Sequence, residues 1–241
     1  MSNKYFEFKR FIVWHDECAM KVGTDGVLLG AWANGGKRIL DIGTGSGLIA
    51  LFMAQRYDDA EITAIDIDDG AYRQAVRNVG NTEYADRINV VKASIQDFCK
   101  AYGEGNGNGM KFDSIVCNPP FFSRSLASPD AQRSLARHTT AITFSELLKC
   151  SASLLEDDGE CSFVIPESAK GEFDNEAIFA GLYPSRICLL KTVKTKSVSR
   201  CLLAYKKHVV KQIEESCECI NGNLNGRSEW YSNLTKDFYI K

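Results

Sequence analysis

From Lys37 onward, short runs of branched apolar residues alternate with stretches in which apolar positions recur every three to four residues. That alternation predicts a sheet, mostly parallel, with helices on its faces. Residues 38–41 read as the first strand, and 48–56 as a helix whose Leu48, Leu51, Phe52 and Ala54 can face the sheet. A second strand at 61–66, a second helix at 71–78 and a third strand at 88–92 follow, the last carrying Ile88, Val90 and Val91 suited to a sheet interior. Next come a fourth strand at 112–117, a helix at 144–155 and a fifth strand at 160–165 that Pro166 stops. Segments 186–193 and 199–206 stand too close together for a helical crossover and predict an antiparallel hairpin. The expected fold class is α/β: a doubly wound, mostly parallel seven-stranded sheet closed by that C-terminal hairpin.

The 241 residues suit one domain with short appendages. Residues 37–208 form the predicted domain, preceded by an N-terminal segment, 1–36, and followed by a tail, 209–241. The tail is polar through Glu214, Glu215 and Asn221 and reads as a linker. It ends in Trp230-Tyr231 and Phe238-Tyr239-Ile240, aromatics predicted to dock back on the domain. The glycine-rich stretch 103–109 predicts an exposed connection. No apolar run approaches the ~20 residues needed to cross a bilayer, and residues 1–7 lack a signal-peptide pattern, so a cytoplasmic location and no membrane partner are expected. Nine cysteines without a Cys-x-x-Cys pair argue against a disulfide framework. Cys217 and Cys219, the only close pair, make a poor zinc site, and no metal is expected.

The first strand runs into Asp41-Ile42-Gly43-Thr44-Gly45-Ser46-Gly47 and then a helix, placing glycines where the chain turns sharply and a ligand can approach. The Gly-x-Gly-x-Gly spacing differs from the dinucleotide Gly-x-Gly-x-x-Gly and disfavours NAD. Asp41 before the loop suits a cationic ligand better than a pyrophosphate, and Asp66, closing the second strand, can accept hydrogen bonds from both hydroxyls of a ribose. The alternative is a bare strand-to-helix turn in which Asp66 caps the next helix. The fourth strand ends in Asn118-Pro119-Pro120-Phe121, beside the first strand at the switch point of a doubly wound sheet. The Asn118 side-chain oxygen and the Pro119 carbonyl can accept the two hydrogens of an amino group conjugated to a ring and aim its nitrogen, while Phe121 can stack on a flipped base. The same four residues could instead end a strand in a plain turn.

The glycine loop with Asp66 resembles the cofactor motif of class I S-adenosylmethionine methyltransferases, which implies a Rossmann-like methyltransferase sheet. Asn118-Pro119-Pro120-Phe121 resembles the signature of methyltransferases acting on adenine N6, guanine N2 or glutamine amides. With the run from Phe11 to Trp32, and over residues 8 to about 206, the chain resembles the bacterial tRNA1(Val) adenine-37 N6-methyltransferases. The resemblance implies S-adenosylmethionine as cofactor, tRNA as partner and N6-methylation of an adenine. It implies cofactor contacts at Lys21, Thr24, Asp25, Asp41, Gly43, Gly45, Gly47, Asp66, Ile67, Ser94, Asp97 and Asn118, with Asn118, Pro119 and Phe121 as the catalytic positions. Only 37 residues precede the first strand, which counts against a glutamine methyltransferase; guanine N2 stays open, and a catalytically inactive RNA-binding module is the alternative outside enzymes. A monomer is expected.

A net charge of −2 excludes a globally basic nucleic-acid binder, so RNA contact has to come from local clusters. Between Lys191 and Lys211 there are seven cations and no acidic residue, Lys194, Lys196 and Arg200 among them. Arg124, Arg133 and Arg137 follow the tetrapeptide with one acidic residue, Asp130, between them. These six are the candidate RNA contacts; the alternative is ordinary solvated charge. His15, a lone histidine, predicts a structural hydrogen bond.

Overall fold

A computed structural model describes residues 3–18, 20–103, 109–119, 142–222 and 226–240. Its centre is an eight-stranded sheet built from β3 (Arg38–Ile42), β4 (Glu61–Asp66), β5 (Ile88–Lys92), β6 (Phe112–Cys117), β7 (Leu155–Pro166), β8 (Tyr183–Lys191), β9 (Val198–Lys206) and β10 (Glu214–Cys219). The strand order is β10-β8-β9-β7-β6-β3-β4-β5. β7, β6, β3, β4 and β5 run parallel; β9 is antiparallel to both of its neighbours, so the expected hairpin is present. The order reverses between β3 and β6, where Ile42 sits opposite Cys117.

The sheet has one strand more than the seven expected. The segment read as a linker contains β10, paired parallel to β8 with Cys219 opposite Lys191. Its sequence, Glu-Glu-Ser-Cys-Glu-Cys, has no apolar alternation because the strand lies at the sheet edge with most residues exposed. Carboxylates on an exposed edge also discourage pairing with another chain. The N-terminal segment adds a second small sheet, β1 (Tyr5–Glu7) paired antiparallel with β2 (Ile12–Trp14).

Helices cover both faces and divide the core into two clusters. α1 (Thr24–Trp32) and α2 (Leu48–Arg56) cover one face with α3 (Asp69–Gly80) and the two chain ends. α4 (Ile95–Tyr102), α5 (Phe144–Leu154) and α6 (Lys170–Phe179) cover the other. α1 is buried from Gly26 to Ala31, and a side chain at Gly30 would meet Phe52 of α2 at 2.8 Å, so glycine sets that close crossing. α5 begins with a full capping box, Thr143 with Glu146. Gly103, expected to be exposed, is buried as the cap of α4, against Cys99 and Ser153; Gly109 is exposed, and residues 104–108 lie outside the described residues.

Near the C-terminus, α7 (Glu229–Thr235) packs against α1, and the residues after it pack on α2. The Phe238 ring stacks on Phe52 at 3.8 Å, and the Lys9 amide donates to the Phe238 carbonyl at 2.8 Å. The chain ends thus meet over one helix.

Candidate functional site

The glycine loop turns through three left-handed residues, Gly43, Gly45 and Gly47, at φ 67°, 58° and 81°. A side chain is strained at each of these φ values, which explains the glycines. Gly47 caps α2. The Gly43 and Thr44 amides donate to the Ile65 carbonyl at 2.9 and 3.0 Å, and the Gly45 amide donates to Asp66 Oδ2 at 2.9 Å, so the loop is tied to the end of β4.

Asp41 lies beneath the loop with no exposed surface. Its Oδ2 accepts from Thr44 Oγ1 at 2.6 Å and the Ala50 amide at 3.1 Å, while Oδ1 is buried without a partner among the described residues. Desolvation pushes its pKa up to about 7, against the opposing effect of those two hydrogen bonds. The residue expected to meet a cation is therefore a buried brace for the loop and does not line the cavity beside it.

That cavity encloses about 280 Å³ at the carboxyl ends of β3, β4, β5 and β6. Of the expected positions, Gly43, Gly45, Asp66, Ile67, Ser94, Asn118 and Pro119 line it. Asp66 accepts the Gly45 and Asp68 amides at 2.9 Å, one on each oxygen, which leaves each oxygen a further lone pair. Burial raises its pKa, against those backbone hydrogen bonds. Asn118 follows β6 at the switch point, next to Cys117, and its Oδ1 is buried with no donor among the described residues. A buried acceptor left unpaired is costly unless something arrives to satisfy it.

Ser94 caps α4 by accepting the Asp97 amide at 3.0 Å and donating to Asp97 Oδ2 at 2.7 Å. Asp97 is thereby a capping partner, 74% exposed and paired with Lys100, and lies outside the cavity. Lys21, Thr24 and Asp25 do not line it either; Asp25 instead pairs with Arg200 at 3.0 Å. The N-terminal segment reaches the cavity through Cys18 and Met20. Gln96, Ile142 and Leu147 also line it and were not anticipated. Gln96 had a signal, two residues past Ser94 at the start of a helix; the apolar wall residues had none, since their types are those of any core. The lining combines apolar Ile42, Ile65 and Leu147 with side chains that carry acceptors: Asp66, Asp68, Ser94, Gln96 and Asn118. Such a cavity fits a nucleoside: hydroxyls for the carboxylate and a flat ring for the aliphatic walls.

The turn at 192–197 joins β8 to β9, and Arg200 sits opposite Pro166 at the end of β7, so this turn projects from the same sheet edge as the cavity. Lys194 and Lys196 are exposed there. Arg200 donates to Asp25 and to the Ser199 carbonyl, which makes it an anchor between β9 and α1 as well as a surface cation. Phe121, Arg124, Arg133 and Arg137 lie outside the described residues. His15 bonds the Asn3 carbonyl at 2.9 Å and takes the Val22 amide at 3.5 Å, a structural pairing. Among the described residues, no group of three metal-ligating side chains comes together.

A family model described as the methyltransferase small domain matches residues 22–181. A Bacteroides fragilis protein named tRNA1(Val) (adenine(37)-N6)-methyltransferase is 44% identical over 243 residues, covering 100% of both chains. A protein of the same name from Pseudoalteromonas translucida is 39% identical over 98% of each. In fold, a solved structure described as a predicted O-methyltransferase from Agrobacterium tumefaciens is similar, with a TM-score of 0.65 at 18% identity over 89% of this chain and 96% of that one.

Proposed function

The chain belongs to the methyltransferase small domain family and, within it, to the tRNA1(Val) (adenine(37)-N6)-methyltransferases, and on that premise we propose that it methylates N6 of adenine 37 in tRNA1(Val) with S-adenosylmethionine as donor. One observation carries the catalytic assignment: the Asn118 side-chain oxygen, buried and without a partner among the described residues, on the cavity wall where β3 and β6 part. An adenine amino group has two hydrogens and a lone pair delocalised into the ring. Asn118 Oδ1 accepts one hydrogen and the Pro119 carbonyl the other, which favours a pyramidal nitrogen with its lone pair directed at the donor.

Bound in the cavity, S-adenosylmethionine supplies an electrophilic methyl group on a sulfonium. Asp66 holds the ribose diol with the lone pairs its backbone bonds leave free. Ile67 and the aliphatic wall take the cofactor's adenine, and Gly43 and Gly45 let the backbone come close to the ligand. Phe121 stacks on the substrate base, and Arg124, Arg133 and Arg137 contact the RNA around it. Lys194 and Lys196 bind phosphates beside the cavity edge, and tRNA affinity therefore falls with salt. On this reading the protein is a cytoplasmic monomer.

The test is methyl transfer from labelled S-adenosylmethionine to tRNA from cells lacking this protein, followed by nucleoside chromatography. Label in N6-methyladenosine, mapped to position 37 of tRNA1(Val), is the expected result. Label in N2-methylguanosine overturns the base, and label in protein overturns the RNA substrate.

A further inference from the structure

One face of α3 carries Gly70, Gln74 and Asn78 at intervals of four, a single line along the helix. Gln74 and Asn78 are fully buried polar residues, and both hydrogen-bond the N-terminal segment. Asn78 Oδ1 accepts the Trp14 amide at 3.0 Å, and its Nδ2 donates to the Trp14 carbonyl at 2.8 Å. The same Nδ2 donates to the Ser46 carbonyl in the glycine loop at 2.7 Å. Gln74 Oε1 accepts the Glu17 amide at 2.9 Å. At Gly70 a β-carbon would collide with the Glu17 carbonyl. The next residues, Cys18 and Met20, form part of the cavity wall.

From this juxtaposition we infer that Gly70, Gln74 and Asn78 are positioning residues: a track that seats the strap from Trp14 to Met20 over the cofactor mouth and couples it, through Ser46, to the glycine loop. The inference rests on the cavity being the S-adenosylmethionine site. None of the three residues lines the cavity, so each acts through what it holds. Arg73 and Arg77 supply the outer side of the seat, pairing with Glu17 at 3.4 and 3.7 Å, and Arg77 lies over the Trp14 ring at 4.9 Å.

Two substitutions separate this role from mere support of the fold. Gly70→Ala adds one methyl group against the strap and reduces the freedom of the unfolded chain. Gln74→Met keeps the buried volume, removes an amide nitrogen that has no partner, and deletes only the bond to Glu17. Gly70→Ala has to displace the strap backbone and Gln74→Met gives up one hydrogen bond, so both should melt no more than about 5 °C below the wild type without ligand, yet bind S-adenosylmethionine about tenfold more weakly, a loss on the scale of one or two contacts. A second readout needs no turnover: alkylation of Cys18 by a maleimide, followed by peptide mass spectrometry. S-adenosylmethionine should slow this reaction in the wild type, and both variants should react several-fold faster without ligand. Variants that bind within about twofold of the wild type and show unchanged Cys18 reactivity overturn the track alone. Melting temperatures lowered by more than about 5 °C in both variants overturn it in favour of a structural role. Wild-type protein that binds no S-adenosylmethionine overturns the cavity assignment and this inference with it.

Discussion

Asp41 and Asp66 close neighbouring strands at the same sheet edge, and their surroundings give them opposite tasks. Asp66 reaches the cavity; Asp41 is sealed beneath the loop, with one oxygen unpaired. Burial keeps Asp41 protonated up to about pH 7, whereas an unfolded aspartate ionises near pH ~4. Between those values the folded chain holds the extra proton, so stability falls as pH rises through this window and stays lowered above it. Asp41→Asn keeps an acceptor for Thr44 and Ala50 and cannot ionise. Its melting temperature relative to the wild type should rise by about 4 °C or more between pH 5 and pH 8, read from melting curves without ligand. A difference that does not move with pH would show that the carboxyl ionises normally. At Asn118 the expected effect is on rate: Asn118→Ala should lower kcat about 100-fold or more while cofactor affinity stays within about threefold. Near-normal turnover would remove Asn118 from the mechanism.

Among the elements, the β8–β9 turn carries a prediction that β9 itself does not. Lys194→Glu with Lys196→Glu reverses two exposed charges and should weaken tRNA binding about tenfold or more at low salt, with a shallower salt dependence and unchanged cofactor affinity. Arg200→Ala would mix effects, because it also strands Asp25; unchanged tRNA affinity in the double lysine variant is the result that rejects the turn as an RNA contact. Arg200 also shows where sequence reading stops, since its partner lies 175 residues away and no local pattern signals the pair. Strands such as β6 and β7 were legible because both their faces are buried, which forces runs like Ile115-Val116-Cys117. β10 was not, because an edge strand needs no apolar run. The cavity followed the same rule: glycines at positive φ and a carboxylate at a strand end leave a signature, whereas Cys18, Met20 and Leu147 look like core anywhere. In the N-terminal segment the family resemblance implied Lys21, Thr24 and Asp25, while the wall is made by Cys18 and Met20.

Across the whole molecule, the sheet separates two cores, and one of them is completed by residues from both ends of the chain. Phe238 is 2% exposed and stacked on Phe52, and Tyr239 packs edge-on against Phe6. Phe238→Ala should cost about 3–5 kcal/mol and lower the melting temperature by roughly 6–20 °C, with faster proteolysis of residues 3–14 as the local readout. An unchanged melting temperature would mean that the tail contributes no packing energy. The meeting of the ends also has a consequence in time. Lys9 Nζ donates to the Lys236 carbonyl, 227 residues further along, and ribosomes add roughly 5–20 residues each second, so the two partners are made roughly 11–45 s apart. Through that interval the nascent N-terminal strands lack part of their hydrophobic cover and stay open to chaperones and proteases.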